Sequence, residues 1–386
     1  MGLLRREQRA RLAGAATAAG TRAYTQRWGA ALDRGHYSDF RGGLKLSALG
    51  LGTFPGAATD AVDRSLADIV HKGLLNGLNV IDTAAHYRYG RSLKAVAQGL
   101  GRARADGLQR DMVWLMSKGG FVSFPDGPPA DVAAFVREAI VGRGLASAEE
   151  CTDAHVLSPT YLRAQIEDSR AGLGVETLDA FLVDQPEVHI PSRGKAAVVA
   201  KLGEVFTALE EAVAEGVIRY YGVSSFHAFR VATDDSWFLS LASLVALAEK
   251  AAKAVTGSET DHHFALIEMP FNAVMLEGFT RFNQITGDDS EASTLQAALR
   301  LKLYTVASHG LFKGHLAREP VEILTQALPR FANPAQRALQ FNRSTPGLGT
   351  TLVGMSDPAH LDDMLAVARA PLLSHSAYMG LFDRTE

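Results

Sequence analysis

The sequence alternates between short apolar runs and helix-like segments from Leu49 onward. Eight apolar runs lie at residues 49–54, 78–82, 112–117, 178–183, 218–223, 264–269, 303–307 and 350–353, and a helical pattern follows each of them. Parallel strands require crossover connections, and those connections are usually helices. Eight strand–helix units are the number that closes a barrel. The sequence therefore predicts an α/β fold, a (β/α)8 TIM barrel.

An open, doubly wound parallel sheet is the structural alternative. Such a sheet would carry a Gly-x-Gly-x-x-Gly phosphate turn between its first strand and first helix. Here Gly50, Gly52 and Gly56 have a different spacing. The closed barrel is therefore favoured.

The chain has 386 residues, a length that suits one large barrel with insertions. Residues 1–43 hold no strong strand signal and are interpreted as an N-terminal arm packed on the main domain. Residues 44–386 are predicted to form a single barrel domain. Two irregular stretches, at about 119–158 and 271–289, are predicted loop insertions. Loops this long in a compact domain usually serve function.

Composition excludes several classes of protein. The net charge of -3 gives no electrostatic basis for binding nucleic acid or an anionic membrane. No apolar run is long enough for a membrane span, and the N-terminus lacks the apolar core of a secretory signal, so a cytoplasmic protein is expected. Cys151 is a single cysteine, which excludes an internal disulfide and a cysteine-based zinc cluster. No metal site is predicted.

Polar side chains stand where the apolar runs end, and the segment from Asn79 to Gly90 is the clearest case. It delivers Asp82 at the end of a buried strand and Tyr87 five residues later, while Lys118 ends the next strand. Groups beyond the carboxyl ends of barrel strands face the ligand. An ammonium favours the phenolate of a nearby tyrosine, and a carboxylate can hold that ammonium. Such a tyrosine can exchange a proton with a carbonyl or an alcohol.

The competing interpretation is a structural ion pair between Asp82 and Lys118, with Tyr87 packed over it. Buried ion pairs are costly, and their position at the ligand-binding face favours function.

Several motifs resemble the aldo-keto reductases. They are Gly50-Leu-Gly-Thr53, Asn79-Val-Ile-Asp-Thr-Ala-x-x-Tyr87, Ser117-Lys118, Leu173-Gly174 before Leu178-Asp179, Gly216-Val-Ile-Arg-Tyr-Tyr-Gly-Val-Ser224 and Gly354-Met-Ser-x-Pro358. They occur in the family's order from about residue 44 to residue 368. The resemblance implies a (β/α)8 barrel, NADPH bound across its mouth, and carbonyl reduction without a metal. It implies Asp82, Tyr87 and Lys118 as three members of a catalytic tetrad.

The fourth member of that tetrad, a histidine, is not found where the family has it. Val183-Asp184-Gln185-Pro186 occupies the place, so an aspartate stands there. An ionised carboxylate would repel a developing oxyanion, whereas a protonated Asp184 could donate a hydrogen bond. His86, His189 and His309 are alternative donors, although an ordinary polar role in a loop is expected more often for each of them.

The resemblance also implies a cofactor site with substitutions. Ser225 replaces an asparagine, and Glu268 and Phe271 replace a glutamine and a stacking tyrosine. His360 stands near the place of a phosphate-binding Arg or Lys, and Met364 replaces an asparagine that contacts adenine. Glu268 cannot donate to a carboxamide unless it is protonated, while Phe271 can still stack. The predicted cofactor-binding residues are Gly52, Thr53, Ser224, Ser225, Glu268, Phe271, Ser308, Gly310, Leu311, Gly354, Met355, Ser356, His360 and Asp363.

Two functions follow from these residues. The first is NADP(H)-dependent reduction of a carbonyl, or oxidation of an alcohol, on a small molecule, with Tyr87 as general acid or base. The second is a barrel that has lost the cofactor and performs acid–base chemistry as a lyase, isomerase or cyclase, or acts as a binding subunit. The substitutions at Asp184, Ser225 and Glu268 keep the second function open.

Overall fold

The computed structural model describes residues 11–125, 127–286 and 290–383. Its centre is a closed barrel of eight parallel strands whose order around the barrel follows the chain, which confirms the predicted fold. The strands are β1 (Leu49–Gly52), β2 (Val80–Asp82), β3 (Trp114–Gly119), β4 (Leu178–Asp184), β5 (Ile218–Ser224), β6 (Phe264–Pro270), β7 (Tyr304–Ser308) and β8 (Thr350–Gly354).

One main helix follows each strand and covers the barrel from outside. These helices are α1 (Asp60–Leu74), α2 (Arg91–Ala105), α3 (Pro159–Leu173), α4 (Lys195–Ala214), α5 (Leu241–Thr256), α6 (Thr294–Arg300), α7 (Pro334–Arg343) and α8 (His360–Arg369). Further α-helices span Ala18–Arg27, Val132–Val136, Ile190–Arg193, Glu277–Thr280, His315–Arg318, Glu322–Ala327 and His375–Met379. Among the described residues, no helix combines the length and the apolar character needed to cross a bilayer.

The first helix shows how the sequence produces this layer. Thr59 caps α1 by accepting a hydrogen bond from a backbone N–H, and Asp60 adds an acidic residue to the first turn. Leu66, Val70 and Leu74, spaced at helical intervals, are buried against the strands. Gly77 follows with a positive φ of 96°, a conformation that glycine adopts without a steric cost. The chain can therefore turn directly into β2.

The register of the strands brings their carboxyl ends to one level. Asp82 pairs with Gly52 of β1, Asp184 pairs with Ser224, and Ser224 pairs with Glu268. Because these residues lie at matching heights on adjacent strands, their side chains can converge on a single mouth of the barrel.

The N-terminal region contains a β-hairpin that the sequence did not predict. Residues Tyr37–Phe40 pair antiparallel with Leu44–Ser47. Phe40 is buried and its ring contacts Trp114, Tyr220 and Tyr304, which lie near the amino ends of three barrel strands. Residues 1–43 hold no strong strand signal, and this strand escaped prediction because four residues that include a charge carry little periodic signal. The part of the predicted arm at residues 1–10 lies outside the described residues.

Both predicted insertions also contain hairpins rather than irregular chain alone. In the stretch 119–158, Cys151–Thr152 pairs with His155–Val156, and Phe121 forms a bridge to His155. At the end of the second, Phe282–Ile285 pairs with Glu291–Ser293, which lies just beyond the predicted bound at residue 289. These strands have two to four residues, too few to show the alternation that identifies a strand. Residues 126 and 287–289 of the two stretches lie outside the described residues.

Candidate active site

Lys118 is the centre of a buried polar cluster at the carboxyl ends of the strands. Its Nζ donates hydrogen bonds to Asp82 Oδ2 at 3.1 Å, to Tyr87 Oη at 3.2 Å and to Glu268 Oε1 at 2.6 Å. Asp82, Lys118 and Glu268 are each at most 3% exposed. The structure therefore brings together the aspartate, tyrosine and lysine that the sequence singled out, and it adds Glu268 as a second carboxylate on the same ammonium.

Burial dominates the protonation of this cluster. It raises the pKa of Asp82 to about 8, against the opposing effect of Lys118. It raises the pKa of the Tyr87 phenol well above its ordinary value, although Lys118 lowers it. The sequence-based expectation that Lys118 would lower the phenol pKa therefore describes only the smaller of two effects. The larger effect is desolvation, which disfavours the charged form of any acid. Tyr87 is a protonated donor.

The loop after β2 is held in an unusual conformation that fixes Tyr87. Arg88 and Tyr89 have positive φ values of 49° and 59°, which non-glycine residues seldom adopt. The buried guanidinium of Arg88 donates to the carbonyl of Ala57 at 2.8 Å and forms an ion pair with Asp63 at 2.5 Å. These contacts hold the loop in its strained backbone conformation.

Asp184 ends β4 beside this cluster, in the place where the family has histidine. Burial raises the pKa of Asp184 to about 7, with Lys118 acting in the opposite direction. The nearest histidine is His86, whose Nε2 lies 3.8 Å from Asp184 Oδ2. Burial lowers the pKa of His86 to about 3, so its imidazole is neutral at pH 7. Of the three histidines considered as substitutes, His86 is the one beside Asp184.

His309 and His189 lie elsewhere. The His309 ring packs edge-on against Phe226 at 5.3 Å on the other side of the mouth. His189 lies behind Asp184, where its Nε2 meets His155 Nδ1 at 2.9 Å. His189 therefore takes part in structural support.

His155, from the hairpin in the first insertion, is a site residue that sequence reasoning missed. Its Nε2 lies 2.6 Å from the carbonyl oxygen of Asp184 and must donate a proton to it. His155 Nδ1 is then an acceptor for His189 Nε2, and Thr152 Oγ1 lies 3.0 Å from His189 Nδ1. This network fixes both imidazole tautomers and holds the main chain of Asp184. A histidine in an insertion without a motif offers no sequence signal for that role.

Three side chains predicted to meet the nicotinamide are already engaged in the protein. Ser225 Oγ donates to Glu187 Oε1 at 2.6 Å, and Glu268 accepts from Lys118. Phe271 is fully buried and stacks on Phe341 with ring centroids 6.3 Å apart. Glu187 was not predicted; its Oε1 also accepts from the N–H groups of Phe226 and His227, so it fixes the loop after β5.

Thr53 and Ser224 line the floor of the mouth at the ends of β1 and β5. Thr53 Oγ1 donates to the carbonyl of Asp82 at 2.9 Å, which ties β1 to β2 next to Gly52. Ser224 Oγ lies 3.4 Å from Glu268 Oε1. Thr53 is fully buried and Ser224 is 7% exposed. Of these two, only Ser224 offers a hydroxyl to a ligand in the mouth.

The loop after β7 contains a run of left-handed residues. His309, Phe312 and Lys313 have φ values of 56°, 46° and 54°, and Gly314 follows with 86°. Asn272 and Asn342 donate to the carbonyls of His309 and Gly310 at 2.9 and 3.1 Å. Phe312 and Lys313 are exposed. Turns that contain left-handed residues can direct backbone N–H groups at an anion. This loop, with Ser308, Gly310, Leu311 and the cation of Lys313, is suited to phosphate.

The segment after β8 leads into α8 on the neighbouring side. Gly354, Ser356 and His360 are exposed, whereas Met355 and Met364 are buried. Asp363 is engaged in the fold, because its Oδ1 accepts from Asn333 and from Gln336 at 2.8 Å each.

The loops after β7 and β8, which could hold the phosphates of a dinucleotide, fit that ligand better than the residues predicted to contact its nicotinamide amide. The strained loop 309–314 and the segment with exposed Gly354 and Ser356 follow the adjacent strands β7 and β8, and Lys313 supplies a cation. Among the residues predicted to contact the nicotinamide amide, the Ser224 hydroxyl donates to Glu268 Oε1 and keeps lone pairs that can accept from a ligand. Within the described ranges, no cluster of three or more His, Cys, Asp or Glu side chains is arranged to hold a metal ion.

Comparison with known proteins supports the class that the barrel and its Asp–Tyr–Lys cluster define. The model of the Aldo/keto reductase family matches residues 48–236, which include β1 to β5. A 6-dehydroglucose reductase from Novosphingobium aromaticivorans is 26% identical over 192 residues, 48% of this chain and 49% of that protein. The chain thus matches about half the length of this curated relative.

Solved structures share the fold over most of the chain. An aldo/keto reductase from Klebsiella pneumoniae, in complex with NADP and acetate, has a TM-score of 0.59 and 20% identity, covering 90% of this chain and 94% of that one. An aldo-keto reductase from Bacillus halodurans, in its holo form, has a TM-score of 0.58 and 18% identity over 90% and 95% of the two chains. The resemblance predicted from the motifs is confirmed: residues 48–236 match the aldo-keto reductase family, and the solved structures share the fold.

Proposed function

We propose that this protein is an NADP(H)-dependent oxidoreductase that reduces a polarised double bond, such as a carbonyl, on a small molecule, or oxidises the corresponding alcohol. The observation that carries this proposal is the position of Lys118 Nζ, within 3.2 Å of both Tyr87 Oη and Asp82 Oδ2 at the carboxyl ends of the strands. A buried ammonium beside a phenol is what proton transfer to a substrate oxygen requires.

The bound dinucleotide supplies or accepts the hydride, and the protein supplies the proton. Tyr87 Oη donates its proton to the substrate oxygen, and the Lys118 ammonium stabilises the phenolate that remains. Asp82 accepts from Lys118 and holds the ammonium in place. In the reverse direction, the same phenolate takes the proton of an alcohol.

Asp184 limits this chemistry for a neutral carbonyl. With a pKa of about 7 it is a carboxylic acid at lower pH, and that form can donate a hydrogen bond to the substrate oxygen. Above that pH it is an anion that opposes negative charge on the oxygen. Carbonyl reduction through this site is therefore expected to weaken as the pH rises through 7.

Residues of both adjacent loops are assigned to the cofactor. Ser308, Gly310 and Leu311, with Lys313, would hold phosphate groups together with Gly354, Met355 and Ser356, and His360 lies beside them. Ser224 Oγ, whose proton goes to Glu268, would accept from the nicotinamide amide. The NADP named for one Klebsiella pneumoniae structure, and the NADPH named for another at 20% identity and a TM-score of 0.56, support a dinucleotide in this fold.

The test is a calorimetric titration of the purified chain with NADPH and with NADH. Saturable binding that is tighter for NADPH is expected. Lys313→Met should weaken NADPH binding by about threefold to tenfold, because one exposed phosphate contact is lost. The matched control is Lys302→Met, which changes an exposed lysine just before the other end of β7. Failure of both dinucleotides to bind at millimolar concentration would contradict the proposal.

A second candidate is redox-neutral acid–base chemistry without a dinucleotide. It is favoured by Ser225, which is bound to Glu187, and by Phe271, which is buried. Both stand where the family contacts nicotinamide. In that case, Tyr87, Lys118, Asp82 and Asp184 would move protons on a small-molecule substrate as a lyase, isomerase or cyclase. The same titration separates the two candidates.

A further inference from the structure

The mouth of the barrel carries an excess of buried acid. Asp82, Asp184 and Glu268 surround one ammonium, that of Lys118, and each is at most 5% exposed. In the part of the chain that the structure describes, the ion pairs of these carboxylates involve only Lys118 and the neutral His86. One lysine can balance one carboxylate, and the raised pKa values of Asp82 and Asp184 keep these two carboxyl groups protonated in large part near pH 7. The cluster therefore has room for a second positive charge.

Two oxygens of the cluster have no hydrogen-bond partner in the part of the chain that the structure describes. Asp82 Oδ1 and Glu268 Oε2 are buried and accept no hydrogen bond from the described residues. Leaving a buried carboxylate oxygen without a donor is costly. A ligand that brings an N–H donor and positive charge would remove this cost, whereas a ligand with a carbonyl oxygen would add another acceptor.

Aromatic rings surround the same opening. The Phe54 ring, which is 65% exposed, lies 5.1 Å from that of Tyr87. The ring centroids of Phe121 and His86 are 5.4 Å apart. Phe226 lies across the mouth, just after β5. Faces of aromatic rings attract cations, and more strongly where water is excluded. An acidic floor under an aromatic rim is an arrangement that favours a cationic organic group.

We infer that the double bond reduced at this site is a protonated imine, an iminium ion, whose N–H donates to the acidic cluster of Asp82, Asp184 and Glu268. The inference rests on the proposed function and specifies its substrate class. An iminium carries its positive charge before the reaction, so the acidic cluster holds the reactive form. A carbonyl instead develops negative charge, which the same cluster opposes.

The reaction balances without a further reactant. One hydride from the nicotinamide donor adds to the iminium carbon, and the π electrons of the C=N bond become a lone pair on nitrogen. The product is a neutral amine, and the donor leaves oxidised. The amine then takes a proton from Tyr87 or from solvent and departs as an ammonium ion. A carboxylate of the cluster acts here as an ionised acceptor.

The first experiment measures binding and needs no turnover. Pyrrolidine, which is a cation at neutral pH, and cyclopentanol, a neutral molecule with the same ring size, are titrated into the purified chain by calorimetry. Pyrrolidine is expected to bind at least about tenfold more tightly, the worth of one charge-assisted hydrogen bond. Asp184→Asn and Glu268→Gln should each remove most of this preference. Equal binding of the two molecules, or a preference that both variants retain, would overturn the inference.

The second experiment compares reduction of methylpyrroline and cyclopentanone with NADPH. A kcat/KM ratio above about 10 in favour of the imine is expected, and Asp184→Asn should lower the imine rate while sparing or raising the ketone rate. A faster ketone in the native chain would overturn the inference and leave the proposed function standing. If NADPH fails to bind while pyrrolidine still binds, the proposed function fails and the cation site stands.

Discussion

Single residues at the strand ends decide which chemistry this barrel can perform. Tyr87 and Lys118 keep the arrangement that proton transfer needs, because Lys118 Nζ is 3.2 Å from Tyr87 Oη. Asp184 and Glu268 then set the charge that a substrate must bring. The histidine and the glutamine that the family places there are neutral or donate hydrogen bonds. Such groups favour a substrate oxygen that develops negative charge. Two carboxyl groups in the same places favour a positively charged substrate instead, although the fold is unchanged.

Tyr87→Phe is expected to abolish turnover, because the phenol is the proposed proton donor to the substrate oxygen. The kcat for a carbonyl substrate should fall by at least about 100-fold, the usual contribution of a general acid. Cofactor affinity, measured in parallel by titration, should stay within a factor of about two. Full activity in this variant would remove Tyr87 from the site.

Asp184→His is expected to raise the rate of ordinary aldehyde reduction. The change replaces an acid with a neutral donor beside the substrate oxygen and removes one negative charge from the cluster. A gain in kcat/KM of about 10- to 100-fold for a simple aldehyde is expected. A variant that binds NADPH normally and gains nothing would show that Asp184 does not limit this reaction.

Asp184 should also make stability depend on pH. Its pKa is about 7 in the folded protein, whereas an unfolded aspartate titrates near 4. The folded state thus binds the proton more tightly. Its contribution is fully present below pH ~4 and is lost as the pH rises through 7, a change on the order of a few kcal/mol. Asp184→Asn should show a flatter dependence of unfolding free energy between pH 5 and 8, measured with urea. Equal slopes in both proteins would contradict the assigned pKa.

At the scale of elements, the loops after the strands carry the strain that places the site residues. Arg88 and Tyr89 after β2, Gln185 after β4 and the run from His309 after β7 all have positive φ. Most non-glycine residues with this conformation therefore stand at the mouth, where strain is held for function. A sequence shows which residue follows a strand, but it does not show the backbone angle of that residue.

The first insertion should act on the active site through His155. His155→Ala removes the donor to the Asp184 carbonyl. It also leaves a cavity beside Gly120, where the imidazole packs so closely that a Cβ on residue 120 would lie 2.4 Å from His155 Nε2. We expect kcat to fall by about tenfold with little change in cofactor affinity, since a buried hydrogen bond of ordinary strength is lost. Cys151→Ser, in the same hairpin, is the matched control and should keep full activity. Equal effects of both changes would indicate a general disturbance of the hairpin.

The sequence was sufficient for the barrel and for three members of the cluster, for identifiable reasons. Strands such as β6 contain an apolar run, here Phe264 to Ile267, and Asp82 and Lys118 stand at the carboxyl ends of β2 and β3, with Tyr87 five residues beyond Asp82. The supporting residues could not be predicted in this way. Glu187 and His155 act through contacts with residues 38 and 29 positions away, and no local pattern encodes such contacts. Phe271 was predicted to stack on the cofactor, whereas its ring is buried against Phe341.

At the scale of the whole molecule, the N-terminal hairpin closes the amino end of the barrel. Phe40 fills the space between Trp114, Tyr220 and Tyr304 at ring distances of 4.7 to 5.3 Å. Phe40→Ala is expected to lower the free energy of unfolding by about 3–5 kcal/mol, because a large buried side chain is replaced by a cavity. Urea denaturation followed by the fluorescence of the tryptophans measures this loss. Titration of the surviving native fraction should give an unchanged NADPH affinity, because the mouth is at the opposite end.

This closure has a consequence for the order of events during turnover. Because the barrel is closed at its amino end, substrates must enter and products must leave through the one opening at the carboxyl ends of the strands. If the dinucleotide extends across that opening, then of the dinucleotide and the substrate, the one that binds deeper has to enter first and leave last. Steady-state kinetics should then show ordered binding. In product-inhibition experiments, one product should be competitive with only one of the two reactants.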